Sequence, residues 1–181
     1  MSDGEYREFM NDIGDYQKAQ REAEFAEKRA FSRVRRMYFG KKSDEYVAHV
    51  MRVARATLDR SNHEVTTIAV LHAVLEDSIM SFDEVKGEFG VHAAQCVETL
   101  TRGGKEIDEY YNALYEDYYA INIRIIKVCD LLEHEGSAEL AEEAQQYLIP
   151  YMRKYEKNKM YIEYLGRIEE AIAKGSERGA N

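Results

Sequence analysis

Proline occurs once in this chain of 181 residues, at position 150. Because proline lacks a backbone N–H and its ring clashes with the preceding turn, its near absence leaves almost the whole chain free to form helices. Alanine, glutamate, lysine, leucine and methionine, which have high helix propensity, are frequent. No segment shows the apolar–polar alternation typical of strands. The sequence therefore predicts an all-α fold, in a chain long enough for one domain with a sizeable core.

Glycines and capping signals predict where the helices begin and end. Two segments have the Ser-x-x-Glu form of a capping box, at 61–64 and 81–84. The first is expected to open a helix that carries residues 65–77, and the second a short helix closed by Gly90. The other predicted helices span residues 5–38, 44–60, 91–101, 106–120, 121–134 and 138–174. We expect Pro150 to kink or break the last of them.

Three parts of the chain are expected to differ in role: residues 1–27, 28–136 and 137–181. The first part is mostly polar, and two interpretations stay open. It is either a helical extension or an arm that contacts a protein partner or a second copy of the chain. The middle part is the expected core, and the last part predicts helices that pack on it.

Charge and composition exclude several classes of partner. The formal net charge of −9 repels nucleic-acid polymers and anionic membranes. No segment approaches the roughly 18 apolar residues of a membrane span. The acidic start of the chain has no apolar signal core, so we expect a cytoplasmic protein. Cys96 and Cys129 lie in apolar helical contexts, which predicts buried, reduced thiols.

Five ionisable residues lie on the apolar faces of three different predicted helices. They are His49, His72, Glu76, Asp77 and Asp130. Facing helices can direct such groups at one centre, and two imidazoles with a carboxylate suit a divalent transition metal.

A structural interpretation of each residue alone stays open beside the metal site. A core histidine is often satisfied by a backbone carbonyl, and Asp130 could form an ion pair with Lys127 or Arg124. The joint pattern, rather than any single residue, favours a metal site.

This joint pattern resembles the HD-domain phosphohydrolases. The order is a histidine, then His-x-x-x-Glu-Asp, then an aspartate in a Lys-x-x-Asp-Leu segment. More narrowly, it resembles the (p)ppGpp hydrolase domain of the RelA/SpoT group and its small stand-alone relatives. The resemblance covers roughly residues 28–134, and residues 154–165 weakly resemble the closing helix. The matching segments are 46–54, 68–78, 82–90, 97–102, 107–117 and 126–134.

The resemblance implies an HD-domain helical bundle, with extra N- and C-terminal helices, that holds one divalent cation, usually manganese. The metal ligands would be His49, His72 and Asp130. Glu76 and Asp77 would orient or deprotonate the attacking water.

The resemblance also places two lysines near the nucleotide. Lys41 and Lys42 lie where the family has basic residues beside its substrate, although a charged run here is also typical of a solvated loop.

The chain departs from the family at Ala73, where the family has the aspartate that is its fourth ligand, and at Val50, where relatives often have proline. Ala73 is either an engineered inactivation or a natural loss. Three functions therefore stay open: a (p)ppGpp 3′-pyrophosphohydrolase, an inactive module that binds nucleotide or protein, and a phosphatase for ordinary nucleotides.

Overall fold

A computed structural model describes residues 3–58, 63–116, 120–133 and 142–154, with short stretches between 162 and 173. Every regular element within these ranges is helical, which confirms the predicted all-α class. None of the described helices is long and apolar enough to cross a membrane. The helices are α1 (Asp3–Tyr38), α2 (Asp44–Leu58), α3 (His63–Leu71), α4 (Phe82–Phe89), α5 (Val91–Leu100), α6 (Ile107–Glu116), α7 (Ala120–Glu133) and α8 (Ile149–Lys154).

Several predicted helix ends are confirmed. The hydroxyl of Ser81 accepts the Glu84 backbone N–H, and the Glu84 carboxylate accepts the Ser81 backbone N–H at 2.7 Å, so the capping box at 81–84 is formed. Gly90 follows α4 with φ +93°, a conformation that glycine adopts readily. Of the other predicted capping box, Ser61 lies outside the described residues.

Helix α3 is the central element of the core. It packs against α1, α2, α5 and α7, and every residue from Val65 to Leu71 is buried. After Glu64 the segment has no charged side chain, and its two threonines, Thr66 and Thr67, are buried, so the helix has no face suited to solvent. The chain that leaves α3 at His72 therefore starts from the middle of the molecule.

The prediction that this helix continues to residue 77 is wrong, because α3 ends at Leu71. The carbonyl oxygen of Ala69 accepts the Nδ1–H of the His72 ring at 2.7 Å, and the backbone nitrogen of His72 lies 3.5 Å from the same oxygen. In a continued α-helix this oxygen would accept the N–H of Ala73. Residues 72–78 instead form consecutive turns, which end at Ser78 with φ +54°.

Pro150 does not break its helix. A π-helical turn, Ala144–Leu148, precedes it, and the Ile149 N–H donates to the Ala144 carbonyl. The helix then continues to Lys154. Pro150 has no N–H to donate to the preceding turn, and this missing hydrogen bond explains why the turn before it is π-helical rather than α-helical.

The ends of the chain differ in burial. Leu148, Ile149 and Leu165 belong to the buried core, so part of the C-terminal region packs on it. In α1, by contrast, Glu27 is the first buried residue among positions 13–38, whose burial the structure describes, and Tyr16 and Phe25 are exposed. Cys96 and Cys129 are both buried and form no disulfide, as expected. The division of the chain at residues 27 and 136 stays a prediction.

Removing the Ser81 hydroxyl should lower stability without changing the fold. Ser81→Ala leaves the Glu84 backbone N–H without its capping acceptor, and we expect a loss of about 1 kcal/mol in the free energy of unfolding. Urea denaturation followed by circular dichroism measures it. Ser81→Thr keeps the hydroxyl and should lose little. Equal losses in both variants would contradict the role of the hydroxyl.

Candidate metal centre

The structure brings together the two histidines and the aspartate expected to bind a metal. His49 lies on α2, His72 directly follows α3, and Asp130 lies on α7. The Nε2 atoms of His49 and His72 lie 3.2 Å and 3.8 Å from the same oxygen, Oδ1 of Asp130. One ligand atom from each of the three residues lies within 4.8 Å of the other two. The three side chains therefore face one point.

These separations fit atoms that share one ion. Two ligand atoms each about 2.1 Å from a common metal lie roughly 3.0 Å apart at right angles and roughly 3.4 Å apart in a tetrahedral arrangement. The observed 3.2 Å and 3.8 Å need only small side-chain rotations to reach that range. Two imidazole nitrogens with a carboxylate oxygen are a donor set for a divalent transition metal.

The hydrogen bond between the His72 ring and the Ala69 backbone carbonyl favours the form of His72 that can bind a metal. Since the Ala69 carbonyl can only accept a hydrogen bond, Nδ1 of His72 carries the proton, and Nε2 keeps its lone pair toward Asp130. Burial lowers the pKa of His72, against the opposing effect of the Asp130 carboxylate. The ring is therefore neutral at pH 7, which is the form that binds metals.

Asp130 also takes part in an ion pair. Its Oδ2 atom lies 3.5 Å from the Lys127 ammonium, which in turn lies 3.2 Å from Oε1 of Glu143. Burial alone would raise the pKa of Asp130, but contact with His49 and the charge of Lys127 outweigh it and hold that pKa below its usual range. The structural interpretation is therefore realised in part: His72 contacts the Ala69 carbonyl through Nδ1, and Asp130 pairs with Lys127 through Oδ2 and contacts His49 through Oδ1. Neither Nδ1 of His72 nor Oδ2 of Asp130 lies at the shared point. The atoms that face it, Nε2 and Oδ1, are those a metal would need.

The shared point opens into a cavity of about 260 Å³ whose charges favour a cation. Three carboxylates and two cationic side chains line it, so with neutral imidazoles its formal charge is −1. The charged lining residues are Glu76, Asp130, Glu143, Arg102 and Lys127. A phosphate group would meet repulsion in such a cavity, whereas a divalent ion would make it net positive.

Glu76 and Ala73 both line this cavity. The Glu76 carboxylate is exposed and forms no hydrogen bond or ion pair with any residue that the structure describes. Ala73 is buried beside His72, so a longer side chain at position 73 would point into the same space.

Asp77 does not line the cavity but is held by a neighbouring hydrogen-bond network. Its Oδ2 accepts the hydroxyls of Tyr38 at 2.8 Å and Tyr46 at 2.5 Å, and its Oδ1 pairs with the Lys42 ammonium at 2.5 Å. Burial would raise the pKa of Asp77, but these three donors outweigh it and lower that pKa. Burial and the same carboxylate raise the pKa values of Tyr38 and Tyr46. Tyr46 lines the metal cavity, so the hydrogen bond from its hydroxyl connects Asp77 to the cavity wall.

Sequence reasoning missed both tyrosines. Tyr46 precedes His49 by three residues, and this spacing places the two side chains on the same face of α2. Tyr38 carried no local signal, since its contact with Asp77 joins residues 39 positions apart. The two lysines also differ: Lys42 contacts Asp77, whereas Lys41 is exposed to solvent.

No protein-family model matches the chain. The chain is similar to a guanosine-3′,5′-bis(diphosphate) 3′-pyrophosphohydrolase of Aquifex aeolicus (strain VF5), with 28% identity over 126 residues. The similarity covers 61% of this chain but only 18% of that protein. The finding supports a distant relationship to an enzyme of the phosphohydrolase type.

Replacing Asp77 should make stability depend on pH in a defined direction. Because the folded state lowers the pKa of Asp77, its ionised form stabilises the protein above the unfolded pKa of about 3.9, and this contribution is lost as the pH falls. We expect Asp77→Asn to cost about 1–3 kcal/mol at pH 7, with the difference from the unchanged protein shrinking below about pH 4. Urea denaturation at several pH values measures it. The exposed Asp15→Asn is the control, and a pH-independent difference for Asp77→Asn would contradict the prediction.

Proposed function

We propose that this protein is a metal-dependent phosphohydrolase that acts on a nucleotide, with (p)ppGpp as substrate and loss of its 3′-pyrophosphate as the reaction. The observation that carries the proposal is the convergence of His49, His72 and Asp130 in a cavity of net negative charge. The similarity to a pyrophosphohydrolase supports the reaction class. Mn²⁺ is the proposed metal because the HD-domain proteins that the sequence resembles usually hold manganese, and the mixed nitrogen and oxygen donors of the site suit a divalent transition metal.

When bound, a divalent ion lowers the pKa of a water molecule and offsets charge on a phosphoryl group. The Glu76 carboxylate, exposed on the cavity wall and without an ion-pair partner among the described residues, would act as the base that accepts a proton from the attacking water. Lys127 and Arg102 line the same cavity and face the charge of the phosphoryl oxygens. Asp77 acts as a positioning residue, since its hydrogen bonds fix Tyr46 and Lys42.

The size of the cavity limits how much of a substrate enters it. Pockets that enclose whole drug-sized ligands are about 300–1,000 Å³, and this one has about 260 Å³. The phosphoryl end of a nucleotide therefore enters, and the nucleoside stays outside, near the loop that carries Lys41 and Lys42.

Ala73 favours a second candidate function. With alanine on the cavity wall, the site offers three protein ligands where the HD-domain pattern has four, and an inactive module that binds nucleotide would need no fourth ligand. A phosphatase for ordinary nucleotides would differ only in substrate, so a nucleotide panel separates it from the main proposal.

Restoring a carboxylate at position 73 should strengthen metal binding. Loss of a group that only supports a metal ligand already costs about 10–100-fold in affinity or activity, so we expect Ala73→Asp to bind Mn²⁺ at least tenfold more tightly. The matched control is Ala73→Asn, which has the same shape without the charge. Isothermal titration calorimetry measures the affinities.

The same two variants are then assayed for pyrophosphate release from (p)ppGpp and for phosphate release from GTP and ATP. We expect Ala73→Asp to hydrolyse (p)ppGpp faster than the unchanged protein does. If this variant binds no Mn²⁺ and is inert toward every nucleotide, the enzyme proposal fails. The binding-module function would then replace it.

Glu76 should affect turnover more than substrate binding. In the Ala73→Asp form, Glu76→Gln keeps the size of the side chain but removes its basicity, so we expect kcat to fall about 10²–10⁴-fold with little change in KM. The control is Glu98→Gln, an exposed carboxylate that does not line the cavity. Unchanged kcat in Glu76→Gln would remove the proposed base.

A further inference from the structure

A second cavity, larger than the metal cavity, lies between α1 and α2. It has a volume of about 790 Å³, within the range typical of small-molecule sites. Its lining shares no residue with the metal cavity. We call it the α1–α2 groove. Its lining residues are Phe31, Ser32, Arg35, Tyr38, Phe39, Lys42, Asp44, Val47, Ala48, Met51, Arg52 and Arg55.

The α1–α2 groove is positively charged on a protein whose net charge is −9. Arg35, Lys42, Arg52 and Arg55 line it, against the single carboxylate of Asp44. Since Lys42 and Arg52 are paired with carboxylates outside the lining, the excess is one positive charge. A local excess of positive charge on an acidic surface attracts small anions, while the rest of the surface repels large polyanions such as nucleic acid.

Two of the four cations that line the groove are already neutralised by ion pairs. Arg52 pairs with Glu45 and Glu133, and Lys42 pairs with Asp77.

Arg35 on α1 and Arg55 on α2 are exposed, and neither forms an ion pair or hydrogen bond with the residues that the structure describes. Guanidinium groups in this state bind phosphate through two parallel hydrogen bonds.

The groove also offers apolar contact. Phe31, Val47 and Met51 are partly buried in its wall. Phe39 is 85% exposed where α1 ends and lines the same space, so its ring is available for stacking. A ligand with an anionic end and a flat apolar end would use both features of the wall.

We propose that the α1–α2 groove binds a small phosphate-bearing molecule with an aromatic portion, separately from the metal cavity. Arg35 and Arg55 hold the phosphate groups, and Phe39 stacks on the aromatic portion. The proposal does not depend on hydrolytic activity, because it rests on residues that the metal cavity does not use.

The test is calorimetric titration of the full chain, in buffer containing EDTA, with sodium tripolyphosphate and separately with ATP. We expect saturable binding of both probes at one site. Arg35→Ala and Arg55→Ala should each weaken it about tenfold, because each removes a charge-assisted contact. The control is Arg36→Ala, a neighbouring exposed arginine that does not line the groove. ATP should bind more tightly than tripolyphosphate, and Phe39→Ala should remove that difference.

Three outcomes would overturn the proposal. They are no saturable binding of either probe, unchanged binding in both groove variants, and an equal loss in Arg36→Ala. If ATP binds no more tightly than tripolyphosphate, the role of Phe39 fails.

Vesicles containing phosphatidylserine separate a lipid headgroup from a free phosphate, since binding to vesicles alone would show a membrane surface instead. His49→Ala should keep full groove binding, so a failed metal site leaves this result unchanged.

Discussion

The hydrogen bond from the His72 ring to the Ala69 carbonyl determines how the interior of this protein is used. By accepting Nδ1–H of His72 at 2.7 Å, this oxygen no longer supports another helical turn, and α3 ends inside the core. The same contact fixes the tautomer of the imidazole and directs Nε2 toward Asp130. One local bond thus ends the central helix, begins the turns that carry Ala73 and Glu76, and orients a metal-binding nitrogen.

Charge balance explains why the cavity next to His72 suits a cation. Asp130 and Lys127 are both nearly buried, and each is stabilised by the other because an isolated buried charge would be costly. Adding Glu76, Glu143 and Arg102 leaves the wall with one excess negative charge. A dication would reverse that sign and make the cavity attractive to phosphate, and the phosphohydrolase proposal depends on this reversal.

The sequence could predict features that have a local signal. The all-α class followed from the scarcity of proline, and the helix start at Ser81 followed from its capping box. The grouping of His49, His72 and Asp130 was expected from their order and from a family resemblance. Their roles as ligands stay a prediction.

Features that depend on contacts distant in sequence could not be predicted. The end of α3 at Leu71 is decided by a side chain that takes a backbone acceptor, where periodicity favoured a longer helix. The network around Asp77 and the α1–α2 groove depend on how whole helices are placed.

The central claim, that His49, His72 and Asp130 hold one divalent metal, is tested most directly by anomalous diffraction from crystals of this protein soaked in millimolar MnCl₂. The account predicts one anomalous peak about 2.0–2.3 Å from both Nε2 atoms and the Asp130 carboxylate. Its absence from that point, in crystals that show manganese elsewhere, would contradict the claim.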